Sequence, residues 1–166
     1  MTDAVFTIDQ FLKIRSASGP SYSADGKSLA YLSDESGVFQ VWRIRNDHNS
    51  PEQLTDHNDK IAFVKYAPNG NDDLIYGMDT GGYERQQLYL LRAGENEPQP
   101  LTANPEAIHQ WGDWSPDARQ IAYAANSRDP EHFDGYVLDL DAMESRQLFF
   151  GSGLYQMECW SPDGNQ

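Results

Sequence analysis

Apolar residues come in short runs separated by polar segments along most of the chain. In the first third, Leu29-Ala30-Tyr31-Leu32, Val41-Trp42-Arg43-Ile44 and Gln53-Leu54-Thr55 read as strands. Phe63 to Tyr66, Leu74 to Tyr76, Gln87 to Leu91 and Pro100 to Thr102 continue the pattern. Trp111 to Trp114, Ile121 to Ala124, Tyr136 to Leu140, Gln147 to Phe149 and Tyr155 to Trp160 follow. Runs this short, rich in aromatic and β-branched side chains and bounded by Asn, Asp, Gly and Pro, predict strands rather than helices. The N-terminus is the exception, because Ile8, Phe11 and Leu12 fall on one helical face. Thr7 as N-cap and Gln10 at N3 predict a capping box, with Phe6 and Phe11 at the staple positions. Ser18-Gly19-Pro20 is expected to end this segment, placing a helical unit over residues 1–18. Such a helix would pack on the rim of the strand domain or on a partner domain.

One turn is written four times between the runs. Ser23-Ala24-Asp25-Gly26, Ala67-Pro68-Asn69-Gly70, Ser115-Pro116-Asp117-Ala118 and Ser161-Pro162-Asp163-Gly164 start 44, 48 and 46 positions apart. Leu54, Leu101 and Leu148 keep a spacing of 47. A period of about 45 residues holding four short strands is the signature of a β-propeller blade. The expected fold is therefore all-β, a partial propeller over residues 19–166 with repeats near 19–57, 61–104, 108–150 and 154–166. That is about three blades and the start of a fourth, where a closed ring typically takes at least four. Proline presets φ in such a turn, glycine accepts the left-handed conformation after it, and Asp or Asn bonds nearby amides. The repeated Asp25, Asn69, Asp117 and Asp163 are thus read as structural, since no copy has the spacing of a calcium loop.

Composition narrows the function. The apolar fraction of 39%, with 9 Tyr, 7 Phe and 4 Trp, supports a packed β domain. A net charge of −14 leaves no basic stripe for nucleic acid. No apolar run approaches the roughly 18 residues of a membrane span, and the N-terminus has no basic leader, so a cytoplasmic protein is expected. The single cysteine, Cys159, is expected to be buried and inert beside Trp160, and a lone cysteine forms no disulfide within the chain. His48, His57, His109 and His132 have no metal-ligand spacing and are read as surface loop residues. No metal and no cofactor are expected. No Gly-x-Ser-x-Gly is present, and Gly151-Ser152-Gly153 is a loop tripeptide, so no catalytic residue is assigned.

The segment Phe6 to Arg15, followed by Pro20 to Tyr31, resembles the start of prolyl oligopeptidase family serine peptidases, above all the acylaminoacyl-peptidase-like branch. Gly81-Gly82-Tyr83-Glu84-Arg85-Gln86-Gln87-Leu88-Tyr89-Leu90-Leu91 is similar to a segment of their second blade. Ser115-Pro116-Asp117 and Ser161-Pro162-Asp163-Gly164 match the less specific WD40-like turn, shared with the Tol-system propeller. The resemblance implies a propeller that covers a C-terminal α/β-hydrolase domain absent from this chain. That domain would be the partner and would supply a Ser-Asp-His triad, while the propeller limits access to peptide substrates of dipeptidyl or acylaminoacyl type. This chain alone is then inactive. Glu84 and Arg85, in a loop before a blade strand, are the candidate substrate contacts, against a reading as a surface salt bridge. Trp111, Trp114 and Trp160 are read as inter-blade packing rather than a sugar-stacking platform. Three blades leave open faces, so self-association is expected. The alternative function is a non-enzymatic propeller module for protein–protein interaction.

Overall fold

The computed structural model describes residues 7–164, and Phe6 of the expected staple lies outside them. Twelve strands form three four-stranded antiparallel sheets, each a meander in chain order. The first holds β1 (Ala17–Tyr22), β2 (Ser28–Ser33), β3 (Gln40–Arg45) and β4 (His48–Gln53). The second holds β5 (Ile61–Tyr66), β6 (Leu74–Met78), β7 (Gln87–Leu91) and β8 (Gln99–Pro100). The third holds β9 (His109–Trp114), β10 (Gln120–Asp129), β11 (His132–Asp139) and β12 (Glu144–Phe149). Register repeats with the fold: Leu32 faces Val41, Gly77 faces Leu88, and Ala124 faces Gly135. Each sheet is one blade.

The blades are held together by two apolar clusters, one per interface. Ala30, Leu32 and Val41 of blade 1 pack on Ile61, Val64, Leu74, Tyr76 and Met78 of blade 2. Ile75, Leu88 and Leu90 on the other face of blade 2 pack on Trp114, Ile121, Tyr123 and Leu138 of blade 3. The alternation of side chains across a strand sends neighbouring residues of β6 to opposite clusters. Every residue of β6 is therefore buried, whereas every residue of β12 is exposed. Tyr76 stacks on Tyr89 and Tyr123 on Tyr136, both with ring centroids 5.3 Å apart. Trp114 is buried in the second interface and Trp111 packs against it, as expected of inter-blade residues.

The copies of the turn that begin with serine share one wiring. Ser23 Oγ donates to Asp25 Oδ1 (2.8 Å) and accepts the Ser28 N–H (2.9 Å). Asp25 Oδ1 also accepts the Lys27 N–H, and the Gly26 N–H closes the turn on Ser23 O. Ser115, Asp117, Ala118 and Gln120 repeat these bonds in the third copy. Ser161 Oγ donates to Asp163 in the fourth. Backbone amide and Ser23 donors stabilise the Asp25 carboxylate and lower its pKa to about 2. The position after the Asp or Asn is left-handed in all four: Gly26 (φ 69°), Gly70 (79°), Ala118 (56°) and Gly164 (71°).

Several expectations are corrected. The capping box at Thr7 and Gln10 is present, but α1 spans only Ile8–Leu12 and ends at the Lys13 cap. Ser18-Gly19-Pro20 does not end a helix; it lies within β1, an edge strand whose register slips between Ser18 and Ser21. An edge strand with a bulge accepts a proline that an inner strand would reject. The helix does not pack on the rim: none of its residues is buried, and Ile8 is 77% exposed. The closing strands end earlier than expected, β4 at Gln53 and β8 at Pro100. Tyr155 to Trp160 is not a strand, and Cys159 is exposed rather than buried. No described strand pairs with this segment's outer side, so the ladder that would bury the thiol does not form. The segment still reaches blade 3: a Cβ on Gly112 would lie 2.7 Å from Met157 Cβ, and Trp160 Nε1 donates to Asp113 O at 3.2 Å.

Candidate functional site

The candidate contacts fall where the second strand of a blade turns into the third. In blade 2 this turn is the 79–86 loop, which holds both candidate contacts. Gly81 (φ 69°), Gly82 (φ 73°) and Glu84 (φ 61°) are all left-handed, a conformation that strains the non-glycine Glu84. Within the loop, the Gly81 N–H donates to Asp59 Oδ1 (3.0 Å) and the Glu84 N–H to Asp79 Oδ2 (2.9 Å). The Arg85 guanidinium pairs with Glu106, on the connector that leads to blade 3. Beside them a cavity of about 390 Å³ opens between Asp79, Tyr83, Arg85, Pro105 and Glu106. Tyr83 is 76% exposed there. Arg85 thus forms the ion pair weighed against a substrate role, while Glu84 is exposed and does not line the cavity.

Behind this end runs a polar clamp that holds the inter-blade connectors. Gln40, buried at the start of β3, donates to His57 O and Asp59 O and accepts the His57 N–H. Thr55 Oγ1 donates to Gln40 Oε1 and accepts the Val41 N–H. Gln87 and Thr102 repeat this in blade 2, with Gln87 Nε2 donating to Asn104 O and Ala107 O. Blade 3 departs from the pattern. The residue 47 positions after Gln87 is Asp134, and the one 47 after Thr102 is Phe149. Asp134 is fully buried. It accepts Arg128 Nε at 2.7 Å, Arg128 Nη2 at 3.0 Å and Gln147 Nε2 at 3.0 Å, and lies 3.4 Å from the Gly151 amide. The Arg128 hydrogen bonds lower the Asp134 pKa and outweigh the opposing effect of burial. The spacing signal for this clamp was present in the sequence beside the Leu54, Leu101 and Leu148 series, but Gln and Asp read as surface residues.

Two histidines sit deeper than expected. His57 Nε2 lies 2.8 Å from the Tyr76 hydroxyl, and burial lowers its pKa against the pull of Asp56, Asp59 and Glu97. His109 is buried at the start of β9, where desolvation lowers its pKa. Each packs on the tyrosine stack of its interface. Among the described residues no group of three or more His, Cys, Asp or Glu side chains is arranged to hold a metal ion. No described helix is long and apolar enough to cross a membrane.

TolB from Acinetobacter baumannii superposes with a TM-score of 0.66 over 88% of this chain and 35% of its own, at 23% identity. The chain is a run of β-propeller blades. Dipeptidyl peptidase 4 of Porphyromonas gingivalis carries the same fold, with a TM-score of 0.63 over 78% of this chain and 18% of its own, at 16% identity. In sequence, the chain is 32% identical to dipeptidyl aminopeptidase BIII of Pseudoxanthomonas mexicana over 123 residues, 71% of this chain. It is 31% identical over 123 residues, 63% of this chain, to an uncharacterised protein of Agrobacterium fabrum. It spans only 17% and 38% of these two relatives, so it is a partial homologue of each. No protein-family model matches the chain.

Proposed function

We propose that these blades belong to the propeller of a dipeptidyl-aminopeptidase-type serine peptidase and restrict which peptides reach its hydrolase domain. The observation that carries this reading is the 32% identity to dipeptidyl aminopeptidase BIII over 71% of the chain. The exposed loop end supports it, because Arg85 lines an open cavity that a peptide can reach and the adjacent Glu84 is exposed. The blades gate and orient, and nucleophilic attack belongs to the hydrolase domain. The dipeptidyl branch is preferred to the acylaminoacyl branch on the relative's own name. The comparisons give no support to a purely protein-binding propeller.

The test uses the native polypeptide that contains this sequence. A fluorophosphonate probe should label it, and it should cleave short peptides while sparing folded proteins. A polypeptide that resists the probe would end the peptidase reading. Cleavage of a folded protein as fast as a short peptide would end the gating role. The isolated chain should self-associate, since Leu29, Tyr31 and Ile44 line an uncovered apolar groove on the outer face of blade 1. A monodisperse monomer in light scattering would contradict this.

A further inference from the structure

The outer edges of the three blades are not protected alike. The fourth strand of each blade ends its sheet, and such an edge directs alternate N–H and C=O groups outward, where another strand can pair with them. β4 carries Pro51, which has no N–H to offer. β8 is two residues long, and one of them is Pro100. Proline and shortness both guard an edge against pairing with another chain. β12 has neither guard. It runs for six residues without proline or glycine, and all six are exposed. Its ladder with β11 is regular from Glu144 to Gln147, and the register skips only beyond that, at Leu148.

Alternation divides the β12 side chains between the two faces of the sheet. Ser145 Oγ accepts the Tyr123 hydroxyl at 2.9 Å, and Gln147 Nε2 donates to Asp134 at 3.0 Å, so these two turn back onto their own blade. Glu144 and Arg146 stand on the other face, exposed, and neither side chain forms an ion pair or hydrogen bond among the described residues. Opposite charges two positions apart make a strand complementary to itself. With a second copy antiparallel across a two-fold axis at Ser145, Glu144 of each copy stands directly opposite Arg146 of the other. Opposite charges so placed stabilise a strand pair, and like charges destabilise it. The two charges also cancel, so copies of a chain of net charge −14 can meet at this edge without adding to their repulsion. Leu148 and Phe149, 46% and 45% exposed, continue the contact as apolar surface toward the 141–143 turn of the second copy.

We propose that β12 is a self-pairing edge, through which two copies of the native polypeptide join antiparallel about Ser145 and merge their third blades into one eight-stranded sheet. The pairing is independent of the peptidase reading. Sedimentation of the native polypeptide tests it, with the fold of each variant checked by circular dichroism. The wild type should be a dimer that weakens as salt rises. Arg146→Glu sets carboxylates against carboxylates, and Glu144→Arg sets cations against cations. Each change alone should weaken the dimer at least about tenfold. Mixing the two variants restores both opposite-charge pairs in a heterodimer and should recover the wild-type affinity. A monomeric wild type, a reversal without effect, or variants that stay apart when mixed would overturn the proposal. A cross-link reads the edge itself, apart from any other contact between copies. In a Cys159→Ser background, Ser145→Cys should join two copies on mild oxidation, because directly paired residues have Cα atoms about 5 Å apart. Glu144→Cys should not, since it faces Arg146 rather than its own counterpart. Equal cross-linking at the two positions, or none at 145, would equally overturn it.

Discussion

Blades 2 and 3 solve one problem with different chemistry. Each must hold the connector to the next blade against the start of its third strand. Blade 2 uses Gln87, an amide that offers donors and an acceptor at once and needs only Thr102 beside it. Blade 3 uses Asp134, which only accepts, so the donor to the connector carbonyl must come from Arg128. The neutral clamp of Gln87 and Thr102 contains no titratable side chain. The charged one depends on a long hairpin and on an ionised carboxylate. Exchanging an amide for an acid thus couples the packing of a blade to a loop at the functional end.

The comparison is sharpest when each clamp is removed. Asp134→Ala leaves Gln147 Nε2 and the Gly151 amide without their acceptor and Arg128 without its counter-ion, and should cost about 3 kcal/mol in urea unfolding. Gln87→Ala should cost about 2 kcal/mol, since neutral partners lose less. A larger loss at Gln87 would break the comparison. Acid should separate the blades next. The folded-state pKa of Asp134 lies below its ordinary value of 3.8, so its stabilisation is complete above that value. It is lost as pH falls toward the depressed pKa. Hydrogen exchange should show the Val137 and Leu138 amides losing protection before those of Leu88 and Leu90, and simultaneous loss would contradict this. The smallest effect compares the turns. Ala118 takes the left-handed conformation that glycine fills in the other three copies. Ala118→Gly removes that strain at the expense of a little burial, and should raise stability by about 0.5 kcal/mol.

The fold was legible because the turns wear their geometry as letters. A left-handed position after an Asp or Asn calls for glycine, and three of four copies carry it, so the period is plain before any strand is drawn. The strands of blades 2 and 3 that leave these turns, β6 and β10, were legible too, because they are buried along most of their length and few polar residues interrupt them. β1 was misread because Gly19 and Pro20 look like a break, and only its edge position and its bulge make room for them. The candidate loop was found from Glu84 and Arg85, but the pairing of Arg85 with Glu106 joins residues 21 positions apart and has no local pattern. The clamp was hidden for a different reason. Gln and Asp are mostly exposed residue types, so nothing in the sequence singles out Gln40, Gln87 and Asp134, and burial of a polar side chain shows only when its partners are seen.

The decisive measurement is what the native polypeptide does to a peptide with a free N-terminus. Mass spectrometry of the products should find dipeptides released stepwise from that end, abolished by a fluorophosphonate and absent when the N-terminus is acetylated. An intact peptide after prolonged incubation, with the polypeptide folded and its blades in place, would contradict the assignment of these blades to a dipeptidyl aminopeptidase.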